Sequence, residues 1–282
     1  MGQSLLVTLR EGLEAGLIVV IILTYLRNAG QRSYWKYALL GTGAAVGVSL
    51  LVGAVVFVAA GEFEGRAEQV FEGSTMLTAV AVLSWMIVWM KSQAAQIRGH
   101  LQAQVQSALA VGSALALAAI PFVAVLREGI ETALFMFAAA RTSTPVESTF
   151  GAGLGLAGAL ILSYAFYRGG RRINLRLFFN VTGVLLIFFA AGLLAHGIHE
   201  FHEAGLVPPL MEHVWDVNGV LSDEEGVGEW LKGIFGYNGD PSLVEAIAYP
   251  LYLGIAFWYF LRVRPLAPRV VARPATGEVG AR

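Results

Sequence analysis

The sequence predicts an all-α polytopic membrane protein with seven transmembrane helices, six of them forming two three-helix repeats of inverted topology. Three observations carry that expectation: apolar runs of bilayer length, basic residues confined to alternate loops, and one charged motif that occurs twice inside apolar helices. Of 282 residues, 56% are hydrophobic and 14% charged, against about 45–50% and about 25% in soluble domains. Mean hydropathy is +0.65, and the bilayer is therefore the expected solvent. With no cysteine in the chain, disulfides, thiolate metal sites and a cysteine nucleophile are excluded. Any metal must be held by oxygen or imidazole.

Runs near the roughly 20 residues that cross a bilayer lie at 3–27, 37–60, 69–90, 107–140, 149–167, 175–199 and 243–261. The first is not a cleavable signal peptide, because Arg10, Glu11 and Glu14 interrupt it and no small-x-small site follows. Loops after the odd-numbered spans hold Arg27, Arg32, Lys36, Lys91, Arg98, Arg168, Arg171, Arg172 and Arg176, and the tail adds Arg262, Arg264, Arg269, Arg273 and Arg282. These should face the cytoplasm, which puts the N-terminus outside and the C-terminus inside. The opposite loops hold only Arg66, Arg141 and Lys232 but are rich in acid, with Glu62, Glu64 and Glu68 in one and ten carboxylates between Glu200 and Glu245 in another.

Residues 107–140 are too many for one straight crossing, yet splitting them would break the charge alternation. They read as one crossing, kinked, broken or re-entrant at Pro121, with an interfacial lead-in from Leu101. A functional discontinuity and a tolerated kink are both open there. Residues 1–262 thus form a single transmembrane domain, with repeats at about 3–90 and 107–199, an outer loop at 204–242 and a seventh helix at 243–261. Residues 263–282 are a short basic tail, in which Pro265, Pro268 and Pro274 suggest disorder.

The repeated motif is Arg10-Glu11-Gly12-Leu13-Glu14, returning 117 residues later as Arg127-Glu128-Gly129-Ile130-Glu131. Three spans separate the copies, and an odd number of crossings inverts the second relative to the first, as in many secondary transporters. An ionisable group at the centre of a membrane helix costs about 2.5–3.5 kcal/mol even on insertion scales, so such groups must face protein or a wet path. Glu11 and Glu14 project from one helix face, as do Glu128 and Glu131. Two crossing helices could thereby supply four carboxylates to a hard cation near the midplane. The plainer reading is a pair of local ion pairs, Arg10 with Glu14 and Arg127 with Glu131, that locks the bundle. Gly12 and Gly16, echoed by Gly129 and Ala133, read as a close-packing seam on another face.

Further candidates lie toward the outer ends of the spans. Glu72 is either a ligand on the way in or a helix-start carboxylate. His196, His199, Glu200 and Glu203 fall on one stripe of the sixth span and have metal-ligand chemistry, and His213 could join them. His100 is expected on the cytoplasmic side. The acidic, aromatic loop with Trp215, Asp216, Asp223, Glu224, Glu225, Glu229, Trp230 and Tyr237 either concentrates cations and docks a partner or is a solvated loop.

At the paired motifs the chain resembles the oxidase-dependent iron permeases, the fungal high-affinity and bacterial iron permeases of seven-span plan. The likeness extends to Glu72-Gly-Ser-Thr-Met-Leu77, the Trp85 to Trp89 stretch, Gly192-Leu-Leu-Ala-His-Gly-Ile-His-Glu-Phe201 and Gly236-Tyr-Asn238. The resemblance implies iron import, generally of ferric iron produced by an associated oxidase. It maps the transport glutamates to Glu11, Glu14, Glu128 and Glu131, with Arg10 and Arg127 in support. Iron is then cargo and no resident cofactor is expected, nor any catalytic residue. The expected partners are the iron ion, the lipid bilayer of the cytoplasmic (inner) membrane and a separate extracytoplasmic oxidase or metal-delivery protein; no nucleic acid is expected. Lead, manganese or another heavy metal is an alternative cargo. An intramembrane di-metal oxidase is an alternative class, against which stands the lack of a Glu-x-x-His motif at either copy. A haem carrier would need an axial partner for the sixth-span histidines that no other span supplies. No phosphate-binding loop is present, so direct ATP coupling would require another subunit.

Overall fold

The computed structural model describes residues 1–61, 64–93, 96–140, 144–169, 175–208, 210–223 and 226–263, and all of its regular secondary structure is helical. The helices are α1 (Gly2–Asn28), α2 (Trp35–Ala60), α3 (Arg66–Gln93), α4 (Ile97–Val111), α5 (Ala114–Ala140), α6 (Pro145–Gly169), α7 (Leu175–Glu203), α8 (Gly226–Phe235) and α9 (Leu243–Arg262), with a 3-10 turn at Arg32–Tyr34. Five of them, α2, α3, α6, α7 and α9, are long and apolar enough to cross a membrane. Helices α1 and α5 are equally long but carry the two charged motifs. Glu62, Arg141, Arg171, Arg172, Glu224, Glu225, Arg264, Arg269, Arg273 and Arg282 lie outside the described residues, as do the side chains of Arg98, Arg176 and Glu229.

The awkward segment breaks at Gly112, not at Pro121. Helix α4 ends with Gly112 at φ +68°, and the Gly112 and Ser113 amides return to the Leu109 and Ala108 carbonyls at 3.0 and 3.2 Å. This doubly bonded left-handed ending needs a residue without Cβ strain. Ser113 then caps α5, its Oγ accepting from the Ala116 amide at 3.1 Å. Pro121 is the eighth residue of α5, where it removes the bond to the Leu117 carbonyl, yet the helix continues through it to Ala140. The lead-in is therefore a separate 15-residue helix. The outer loop also departs from expectation, since it contains the ten-residue α8.

Packing follows the small residues. Helices α1 and α6 run parallel: Gly12 meets Ala159, Gly16 meets Ser163, and Gly151 and Gly155 meet the α1 backbone. Thr8 Oγ1 donates across this seam to the Ala152 carbonyl at 3.1 Å. Helices α2 and α5 make the matching parallel pair, with Gly41 on the Ala118 backbone, Gly129 on Ser49 and Gly53 on Ala133. Without water to expel between apolar helices, such backbone approach is what holds them. Helices α3 and α7 lie antiparallel, Gly73 against Gly197 and Gln69 Nε2 donating to Glu203 at 3.0 Å. Met76, Leu83, Phe135, Leu186 and Phe189 fill the core between them.

The bundle consequently has two chemically different ends. The starts of α1, α3, α6 and α9, the end of α7 and the acidic loop share one end: Gln3 reaches the Lys232 carbonyl, and the Met1 amine lies 3.6 Å from Glu147. Arg27, Lys91, Arg168 and Arg262 mark the other, where Lys91 donates to the Phe260 carbonyl.

Candidate metal site

Helices α1 and α5 meet near their middles and bring the two motifs together. Glu11, Glu14, Glu128 and Glu131 are all buried, with exposures of 1, 7, 1 and 9%. One carboxylate oxygen from each of Glu11, Glu128 and Glu131 lies within 4.8 Å of the other two, the only such group of metal-ligating residues among those described. Glu14 stands outside this trio and lines the adjoining cavity.

The two arginines are not equivalent. Arg10 is 2% exposed. Its guanidinium lies 2.8 Å from Glu11 Oε1 and 3.2 Å from Glu14 Oε1, with the sulfurs of Met86 and Met90 at 3.1 and 2.8 Å. Arg127 has a side chain 43% exposed; it pairs with Glu128 and lies 3.6 Å from Glu131, its guanidinium 5.0 Å from the Trp89 ring centre. Both expected i,i+4 pairs thus form. They do not saturate the carboxylates, because Glu11 Oε2, Glu14 Oε1, Glu128 Oε2 and Glu131 Oε2 are buried without a hydrogen-bond partner. Buried acceptors normally find a donor, and a close carboxylate trio from two helices with unfilled oxygens suits a hard or borderline cation.

A cavity of about 1490 Å³ runs from this cluster to the basic end. Arg10, Glu14, Arg127 and Glu128 lie at its head, and Arg27, Lys91 and Arg168 at its mouth. His100, on α4, lines it too.

The outer candidates sort differently. Glu72 is buried in the second turn of α3, away from the trio. His196 places its ring 6.4 Å from that of His199. Glu200 packs its Cβ against Gly73. His199 and Glu203 do approach, Nε2 to Oε1 at 3.3 Å, but the stripe gathers around a residue of another helix: Glu245 Oε1 lies 3.3 Å from His199 Nδ1 and 3.6 Å from His202 Nδ1. Sequence reasoning passed over Glu245 and His202. The signal for Glu245 was Ser242-x-x-Glu245, a capping box at the start of α9. His213 does not join this group; it donates from Nδ1 to Asp240 at 2.7 Å, which raises its pKa above the usual imidazole value.

The profile of the Iron permease FTR1 family matches residues 1–270. The chain belongs to this family. Among curated relatives, the ferrous iron permease EfeU of Escherichia coli O6:K15:H31 is 39% identical over 252 residues, 88% of this chain and 91% of the relative. The ferrous iron permease EfeU of Yersinia pestis is 36% identical over 271 residues, 95% and 96% of the two chains. No solved structure matches. These relatives of the iron permease family carry ferrous iron in their names, so the expectation of a ferric cargo gains no support from them.

Proposed function

We propose that this iron permease carries ferrous iron inward across the cytoplasmic membrane through a midplane site built by Glu11, Glu128 and Glu131. The observation that carries the reading is the cluster of buried motif glutamates, each with a carboxylate oxygen that has no hydrogen-bond partner, of which Glu14 and Glu128 open onto a cavity leading to the basic end. With every group ionised, four glutamates and two arginines leave the cluster at −2 (four minus two), the charge a dication neutralises. Burying that dication beside an unmatched −2 costs less than burying either alone. The cavity would be the inward vestibule, since positive residues mark the cytoplasmic side. Seven crossings, α1, α2, α3, α5, α6, α7 and α9, would place the N-terminus outside.

The partner exchange between halves supports an inverted repeat. Helix α1 packs on α6 as α5 packs on α2, while α1·α5 and α3·α7 pair across the centre, the pattern expected when α1–α3 and α5–α7 are related by a two-fold axis in the membrane plane. Rocking one half against the other would then expose the same carboxylates to either side. Iron is cargo in this reading, the chain is a carrier and not an enzyme, and a ferrous cargo requires no oxidation at the outer face. The test is uptake of radioactive iron into proteoliposomes from ascorbate-reduced and from ferric citrate solutions. Ferrous uptake that Mn²⁺ or Pb²⁺ blocks only in large excess is the expected result; uptake from the ferric solution alone would overturn the choice of valence.

A further inference from the structure

We propose a second metal site at the acidic end of the bundle, a 2-His-1-carboxylate site formed by His199 and His202 of α7 with Glu245 of α9, which captures a divalent first-row transition-metal ion. The two imidazole Nδ1 atoms lie 3.3 and 3.6 Å from the same carboxylate oxygen, Glu245 Oε1. Donors bound to one ion at about 2.1 Å stand roughly 3.0–3.5 Å apart, so each histidine is already at ligand spacing from the glutamate. The outer parts of the site are arranged as supports. His199 Nδ1 bonds Glu245 Oε1 at 3.3 Å through a proton that an ion would displace, and Glu203 Oε1, 3.3 Å from Nε2 of His199, is placed to hold the tautomer with the proton on Nε2. Asn238 Nδ2 holds Glu245 Oε2 at 2.9 Å, and Oε1, which accepts from Ser242 Oγ at 2.8 Å, is the oxygen that faces the histidines.

His202 supplies the independent observation. Its side chain is 8% exposed, its Nδ1 faces Glu245 beyond hydrogen-bond distance, and its buried Nε2 has no partner. The capping box explains why Glu245 is buried, and it leaves this imidazole without a bond. The open side of the site is His199, half exposed beside Glu203. The three groups do not close to within 4.8 Å of one another, so an ion would draw the His199 ring inward by rotation about its side-chain torsions. Two imidazoles and one carboxylate with open coordination positions suit a divalent iron-like ion. The site's place on the acidic face puts it ahead of the midplane glutamates for an ion arriving from that side. That role as a first stop rests on the carrier reading above; the existence of the site does not.

The probe is Mn²⁺ bound to tag-free, full-length protein in detergent micelles, read by pulsed electron paramagnetic resonance for coupling to imidazole nitrogen. The midplane trio offers only oxygen, so nitrogen coupling reports the outer site. Coupling is expected in the unchanged protein and in a Glu11→Gln/Glu128→Gln/Glu131→Gln variant, should fall to that of one imidazole or less in His202→Gln and in the half-exposed His199→Gln, which folding defects should spare, and should vanish when both are replaced. Nitrogen coupling that survives His199→Gln/His202→Gln, or bound Mn²⁺ with no nitrogen coupling in any variant, would overturn the proposal. In proteoliposomes, His199→Gln should raise the half-saturating iron concentration several-fold with the maximal rate kept. Loss of transport in the midplane variant with outer-site binding intact separates the two claims.

Discussion

Arg10 and Arg127 occupy the same position of the same motif, yet removing them should have unequal consequences. Arg10→Gln deletes a guanidinium whose side chain is 3% exposed and which faces two carboxylates, Glu11 and Glu14, that are 0 and 7% exposed. Breaking a buried ion pair by removing one partner costs about 3–5 kcal/mol, because the remaining charge stays desolvated. Glutamine cannot reach both carboxylates and the sulfurs of Met86 and Met90 with one amide. Arg127→Gln deletes a side chain 43% exposed but leaves Glu128, 2% exposed, without its partner, so its cost of about 1–3 kcal/mol lies between that of an exposed and a buried pair, the Trp89 contact included. The expected gap is therefore roughly 2 kcal/mol. At about 2–4 °C per kcal/mol for a large domain, thermal denaturation in detergent should drop on the order of 10 °C for Arg10→Gln and roughly half as much for Arg127→Gln. Equal losses, or a larger loss at Arg127, would refute the asymmetry.

Other outcomes follow from the same geometry. A Cβ at Gly155 would lie 2.5 Å from the Leu5 carbonyl oxygen and 2.8 Å from the Leu9 amide nitrogen; Gly155→Ala should cost about 1–3 kcal/mol through overpacking. Gly153, with nothing within 4 Å, should accept alanine neutrally or gain up to about 1 kcal/mol, and a pair of thermal melts compares the two. Asp240→Asn should lower the pKa of His213 toward the ordinary imidazole value, because the hydrogen bond and charge that favour its protonated form are lost. A proton NMR titration of the His213 C2 proton reads this, and an unchanged midpoint would contradict the pairing.

Charge was the most legible feature of the sequence and continuous apolarity the least. The two motifs are expensive wherever they lie, and the helices that hold them do meet. Their exposure, by contrast, depends on what stands opposite: Met86, Met90 and Trp89 all come from α3, and nothing in the motifs says that Arg10 meets the sulfurs while Arg127 meets the ring and the cavity. The helix break was written as Gly112-Ser113 but masked by apolar residues on both sides, which kept attention on Pro121. A proline inside a membrane helix is tolerated where neighbouring groups take up the freed carbonyl, and α5 runs through Pro121 unbroken. The outer histidine stripe was visible as a helical pattern, but its focus, Glu245, comes from 42 residues beyond Glu203 and is brought there by the packing of α9 on α7. Glu14 was grouped with the other three motif glutamates by spacing; in the fold it turns to Arg10 and the cavity.

The central claim is that Glu11, Glu128 and Glu131 together hold the transported ion. Its most direct test is ferrous iron uptake into proteoliposomes by Glu11→Gln, Glu128→Gln and Glu131→Gln, each beside a lipid-facing control and each quantified as inserted protein. The account predicts that all three variants insert normally and lose uptake, with the maximal rate falling at saturating iron. Full uptake by any two of them would contradict it.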